Sequence, residues 1–462
     1  MKGKGLFFCT IIILLISTST CESAPSVKDD TGLGWEDIQA MEQEEGETYY
    51  VAPNGRDSNT GTEEKPFQTI RKGVGTAKPG DTVIVKEGTY NERVEITKSG
   101  KPNAWITIKA APGDKVLVTS TGDFGGYTRV FWVKADYIHI EGFEITTGDE
   151  FGKGISIEGD SNNKIIVHHV RIFNNIVRDC GGSGIGAGSA DYLHIKGNTV
   201  FRNSWTSTWH ESGINFWANK AFGSQPGFHN IIEDNICYDN ENKTVEKPNG
   251  PDDPFEVDTW TDGNGIIIDW CRDKNTSTLI RNNICFNNGG RGIQITVSVN
   301  VTIINNTLYM NSINKRSQEE FGNGNTDDDG NGSDNIVFLN NILYARSNKA
   351  CVGLWKDKPN CFYDNNLYFN GTINGIGQNG YTGPNGNSNG VHGTNNILNM
   401  DPLFVKTGPL VNKTGNTDPG DYDFGLQAGS PCRDAGDPKT IVKTDFFGKT
   451  RQTADLGAVA FE

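Results

Sequence analysis

The chain has 462 residues, enough for two or three ordinary domains or for one long repetitive one. Only 35% of them are hydrophobic and 57 are glycine, yet 10% aromatic and 21% charged residues exclude a collagen-like or disordered chain, which would be short of aromatics. A formal charge of −15, from 42 basic and 57 acidic residues, excludes general binding to a nucleic-acid backbone, and an acidic polymer could be held only through cations placed locally. What remains is a turn-rich, all-β protein with a thin, repeated core.

In chain order, Lys2 and Lys4 precede an apolar run from Leu6 to Ile16 and small residues up to Ala24. That is the pattern of a secretory signal peptide over residues 1–24. The run is too short to span a bilayer and no second one of spanning length follows, so the chain is expected to be secreted and extracellular, with no membrane span. Cys21 follows Thr18-Ser19-Thr20, where a lipidated cysteine would have Leu at the first place, so a lipid anchor is not expected. Residues 25–48 are acidic and read as a solvated linker. The seven cysteines from Cys180 to Cys432 show no C-x-x-C metal pairing; Cys351 and Cys361 are the candidates for a disulfide in an oxidising compartment.

Residues 49–372 carry a repeat. Residues 66–77 read as a helix with Pro66 in its first turn, capping an open stack that begins at Asp81–Val85. Asn followed by an aliphatic residue or Thr, then an apolar residue or Cys, recurs with the Asn at 175, 198, 235, 283, 306 and 341, and an aromatic often follows at 201, 238, 286, 309 and 344. A second series, Gly-Ile, falls at 184, 213, 265 and 292. Nine residues separate Asn175 from Gly184 and fourteen separate Gly184 from Asn198; the same split recurs from Asn283 through Gly292 to Asn306. Short strands of period two, joined by tight turns and stacked in register, predict a parallel β-helix, a single-stranded solenoid of about ten coils. The Asn series would form a buried amide ladder. Residues 373–462 lose the repeat and read as a loop-rich cap on the last coils, with Ala454–Ala458 covering the final one.

Insertions relative to the nine-plus-fourteen coil gather beside one strand: six residues before Gly213, 21 before Gly265, eight after Gly213 and four after Gly265. They predict a walled groove along the outside of the rod. Ile at the first and third positions of each Gly-Ile strand points inward, so the second and fourth point into the groove. These include Asn215 and Trp217, Ile267 and Asp269, and Gln294 and Thr296; His210-Glu211-Ser212, Asp262-Gly263-Asn264 and Gly289-Gly290-Arg291 stand just before the strands. The candidate catalytic cluster is His210, Glu211, Asp262, Asp269 and Arg291, with Asn215, Trp217 and Gln294 as substrate contacts and Trp217 as a face for a sugar ring. Asp327-Asp328-Asp329-Gly330-Asn331-Gly332 matches the first half of a calcium loop, with Asp327, Asp329 and Asn331 as donors, although Phe338 stands at the twelfth position in place of Glu. A solvated acidic loop is the competing reading.

Tyr49-Tyr50-Val51-Ala52-Pro53-Asn54-Gly55, Pro66-Phe67-Gln68-Thr69-Ile70 and Pro79-Gly80-Asp81-Thr82-Val83 resemble a module of the pectin-lyase-like carbohydrate enzymes, nearest to polysaccharide lyase family nine, over roughly residues 49 to 370. The resemblance implies a right-handed parallel β-helix and β-elimination on an acidic polysaccharide, with calcium held by Asp residues and a Lys base. Asp262-Gly263 matches one ligand position of the family. Its Asp-Asp-Gly-x-Asp run reads Gly290-Arg291-Gly292-Ile293-Gln294 here, so three of four carboxylates are missing, and its Lys base finds no place, since no Lys is expected on the matching strands. Calcium is therefore expected only through Asp262 and the acidic loop. Arg291 could pair with a uronate carboxylate, with His210 as base or acid. Alternatively Glu211 and Asp262, expected in register on adjacent coils, would suit glycoside hydrolysis. A lyase on a polysaccharide substrate, acting as a monomer, is the leading reading; a hydrolase, an epimerase and a non-catalytic glycan-binding protein remain open.

Overall fold

A computed structural model describes residues 44–461 except 122–127, 149–151, 208–210, 224–226, 244–261, 315–318, 325–329, 355–357, 372–381, 384–385, 388–390 and 441. Its strands form three long parallel sheets of twelve, eleven and nine strands, and successive strands of the chain pass from one sheet to the next. One coil is Val167–Phe173, Ile176–Arg178 and Ile185–Gly188; the next is Ala190–Lys196, Thr199–Phe201 and Ile214–Trp217, each strand parallel to its counterpart. This is the predicted solenoid. Two-residue rungs at Val391–His392 and Ile397–Leu398 carry the stack past residue 372, where the recognisable repeat ends.

The core is three columns of inward side chains. Ile140, Ile172, Ile195, Ile232, Ile280 and Ile303 stack along the twelve-stranded sheet. Val177, Val200, Cys237, Cys285 and Leu308 line the eleven-stranded one. Ile155, Ile185, Ile214, Ile266 and Ile293 line the nine-stranded one, which we call the groove sheet. All are buried, and each contributes roughly 1.5–3 kcal/mol. The turn from the first column to the second is pinned by the expected ladder, in which each Asn side-chain nitrogen donates to the Asn carbonyl oxygen on the next coil, at 3.1 Å for Asn175 to Asn198 and 2.9 Å for Asn235 to Asn283. It runs on through Asn366 to Asn396. A second ladder, Asn203, Asn240, Asn288 and Asn311, holds the turn into the groove sheet and ends on the carboxylate of Glu320.

Four expectations change. The helix is Ile70–Thr76, capped by Thr69, because Phe67 is bridged to Val51 as strand and Glu92 accepts from the amides of Ile70 and Arg71. Cys351 and Cys361 form no disulfide: Cys351 is in a groove-sheet strand and Cys361 lies just before a strand of the twelve-stranded sheet, so they approach the core from different walls. All seven cysteines from Cys180 on are buried and unbridged. The C-terminal segment lies along the flank. Phe404, Phe424, Leu426 and Leu456 cover the outward aromatics Tyr238, Phe286 and Tyr309 of the eleven-stranded sheet. The tail does the same: Gly457 N donates to Asn340 O and Asn305 to Asp455 O, so it clasps the side of the stack and not the last coil.

Candidate active site on the groove sheet

The groove sheet places Glu211, Asn215, Trp217, Asp262, Asp269, Arg291 and Gln294 along one wall. Ser156, Gly186, Asn215, Ile267 and Gln294 form one outward row, and Glu158, Gly188, Trp217, Asp269 and Thr296 form the next. Asn215, Asp269 and Gln294 are buried in these rows, whereas Trp217 is 56% exposed. At the entry edge, Glu211, Asp262 and Arg291 fall on three consecutive coils, all buried. Gly263 N donates to Glu211 O, the bond a parallel ladder makes where residue 211 faces residue 262 on the next coil. Asp262 Oδ1 accepts from Asn264, whose side chain also bonds Ser212 Oγ and the amide of Arg291. His210, Asp327 and Asp329 lie outside the described residues, and Asn331 Oδ1 accepts from Lys358 Nζ at 3.3 Å.

Arg291 is not an open cation. Its guanidinium is buried against Glu319, at 2.9 and 2.7 Å, and donates to Gln294 Oε1 at 2.9 Å. It lies over Gly322, where a Cβ would stand 2.6 Å from Arg291 Cδ. Register explains the pairing: Ile293 opposes Phe321, which brings residues 291 and 319 together on neighbouring coils.

The cation that does reach the groove floor is Lys153, which the sequence reading passed over. It opens the strand Gly152–Glu158, and its side chain crosses Gly186 on the next coil; a Cβ there would meet Lys153 Cδ at 3.3 Å. Its ammonium stands 3.5 Å from Glu211 Oε1, two coils on, and 4.0 Å from Glu158 Oε1. Glu211 Oε2 accepts from Ser207 Oγ at 2.7 Å and occupies the room left by Gly182. Glu158 accepts from Arg129, Ser156 and the Trp132 indole. Burial pushes its carboxyl upward, but the hydrogen bonds from Arg129 and Ser156 and the charges of Lys153 and Arg129 outweigh it, so Glu158 titrates below the ordinary range. The signal was present: Lys153-Gly154-Ile155 is the same step as Ser183-Gly184-Ile185 and Arg291-Gly292-Ile293.

These donors do not fit calcium, which takes about six to eight oxygens, several from carboxylates. The x-x-Gly-Ile-x frame one coil before Arg291 is Gly263-Asn264-Gly265-Ile266-Ile267, with no carboxylate, and two coils before it is Glu211-Ser212-Gly213-Ile214-Asn215, with one carboxylate that faces an ammonium. Among the described residues no three His, Cys, Asp or Glu side chains come together to hold a metal ion.

With this geometry in hand, residues 49–335, more than half of the chain, match the family model described as Pel9A-like, right handed beta helix region. The chain belongs to that family. It is 24% identical over 291 residues to pectate lyase L of Dickeya chrysanthemi, covering 58% of this chain and 66% of that protein. It is 24% identical over 212 residues to pectate lyase PEL9 of Emericella nidulans, covering 36% and 49%. An uncharacterized protein of Bacillus subtilis, YwoF, is 27% identical over 152 residues, 31% of each. Each alignment spans less than two thirds of the relative's length. The crystal structure of pectate lyase Pel9A superposes with a TM-score of 0.51 at 18% identity, over 91% of this chain and 98% of that one. The solenoid is thus a right-handed parallel β-helix of the pectin-lyase-like type. No helix among the described residues is long and apolar enough to cross a membrane.

Proposed function

We propose that the protein is a secreted polysaccharide lyase that cleaves a uronate-containing polysaccharide by β-elimination on the groove sheet. The observation that carries this reading is Lys153, a protein cation set 3.5 Å from Glu211 at the groove floor. Neutralising a uronate carboxylate acidifies the adjacent C5 proton. In this reading Lys153 supplies that charge and Glu211, beside it and oriented by Ser207, takes the C5 proton; the C4–C5 double bond forms, the C4–O bond breaks and the leaving oxygen takes a proton from water. Glu158, itself paired with Arg129, lies 4.0 Å from the ammonium. Several relatives named above are pectate lyases, which favours the same class. A hydrolase would need a carboxylic acid able to donate a proton to the leaving oxygen. Glu158, held ionised by Arg129 and Ser156, is unsuited to that role.

The test is incubation with polygalacturonate, rhamnogalacturonan and alginate, following the ultraviolet absorbance of the conjugated double bond at new uronate ends. Absorbance should rise with a chelator present, and Lys153→Met and Glu211→Gln should each abolish the rise. New reducing ends without that absorbance would point to a hydrolase. Retention on the polymer without cleavage would point to a binding protein.

A further inference from the structure

At the exit edge of the groove sheet, Trp217, Ala218, Asn219, Lys220, Trp270, Arg272 and Asp273 line a cavity of about 540 Å³, within the range of small-molecule sites. Trp217 ends the strand Ile214–Trp217 and Trp270 follows Ile266–Asp269 on the next coil. Their indoles are 56% and 38% exposed, two large apolar faces left in water side by side. Between them lies the opposite anomaly. Asn219 is 2% exposed, yet neither its side-chain nitrogen nor its oxygen has a hydrogen-bond partner among the described residues. A buried primary amide left unmatched is costly, and this one lines the cavity with a donor and an acceptor both available. Lys220 and Arg272 are exposed at the rim, Arg272 lies 5.8 Å from the Trp270 ring, and Asp273 is turned onto the amides of Ala221 and Asn275. In a chain of charge −15, two cations beside two indoles are a local exception.

We propose that this cavity is a subsite for one uronate residue of the polymer. Indole faces take the C–H face of the ring, Asn219 pairs with ring hydroxyls, and Lys220 and Arg272 meet the carboxylate. The inference rests on the substrate class proposed above. Its test is titration of the full chain with a short oligogalacturonate and with a neutral galacto-oligosaccharide of equal length, followed by tryptophan fluorescence and calorimetry. The uronide should bind more tightly than the neutral sugar. Trp217→Ala and Trp270→Ala should each weaken binding about tenfold, and the double variant Lys220→Met, Arg272→Met should erase the preference for the uronide. All these side chains except Asn219 are exposed or half-exposed, so unchanged circular dichroism is the expected control for folding. Wild-type affinity in both Trp variants, or equal binding of the two sugars by the wild type, overturns the subsite, even if the protein cleaves polyuronates. Trp-dependent uronide binding without cleavage upholds the subsite and overturns the lyase. Absence of both binding and cleavage overturns both.

Discussion

Replacing Lys153 with Met keeps the length of the side chain and removes its charge. Glu211, whose side chain is 4% exposed, then loses this ion pair and keeps its bond from Ser207. Removing one partner of a buried ion pair costs about 3–5 kcal/mol, against about 0–1 for an exposed pair. Lys153 is 18% exposed and its contact is 3.5 Å, longer than an ideal charged hydrogen bond, so the loss should fall near the lower limit, about 2–3 kcal/mol. Glu158 keeps Arg129, Ser156 and Trp132 and should add little. Adding Glu211→Gln removes the stranded charge, so the double variant should return to within about 1 kcal/mol of wild type, a coupling of about 2 kcal/mol. Equilibrium urea unfolding of the four proteins measures it, with equal m-values as the condition for comparison. A Lys153→Met protein as stable as wild type, or single losses that simply add in the double variant, would refute the pairing on which the proposed chemistry is built.

Other consequences follow from the same structure. Asn283→Ala should cost about 3–5 kcal/mol in urea unfolding, because it strands the buried amides of Asn235 and the carbonyls of Ile232 and Arg281. Burial pushes the Glu320 carboxyl up to about 8. Its contribution is whole below the unfolded value and drains away as pH rises through the folded one, so between pH 5 and 8 wild type should lose on the order of 2–4 kcal/mol relative to Glu320→Gln. Equal pH slopes would contradict this. The seven cysteines from Cys180 on should resist a thiol reagent until the protein unfolds, and a reductant should leave the melting temperature unchanged; rapid labelling of any of them in the native protein would count against the buried assignment.

The fold was legible because a solenoid repeats one chemical solution at one place. Each Asn of the first ladder stands at the same turn, and the short motif around it survives insertions elsewhere in the coil. The second ladder was equally visible, five residues after the first at 203, 240, 288 and 311, but was not sought. The helix start was obscured by a distant cap, since the carboxylate of Glu92 lies 22 residues beyond the amide it binds. The C-terminal segment has no period at all, and its place on the flank depends on the outward aromatic row of the eleven-stranded sheet, which it buries. At the site, Arg291 read as an open cation because its partner sits in a degenerate coil. Glu319-Glu320-Phe321 replaces the usual x-Gly-Ile step, so the register that joins the two residues left no trace in the Gly-Ile series.

Lys153 shows why pairings across coils escape a linear reading. Its reach to Glu211 requires glycine at 186 beneath the side chain and at 182 beside the carboxylate, two absences of a Cβ on the intervening coil. Gaps of this kind convert a charge on one rung into a contact two rungs away. They also set the electrostatics of the floor. Glu158, Glu211 and Glu319 are matched there by Arg129, Lys153 and Arg291, with Asp262 and Asp269 on the same wall, in a chain that is strongly acidic overall. A polyanion approaching a wall of unpaired carboxylates would need divalent ions to mask them. In the proposed reaction the masking charge is covalently part of the chain, and a substrate carboxylate would compete with Glu211 for the Lys153 ammonium, which would free Glu211 beside the carbon that loses its proton.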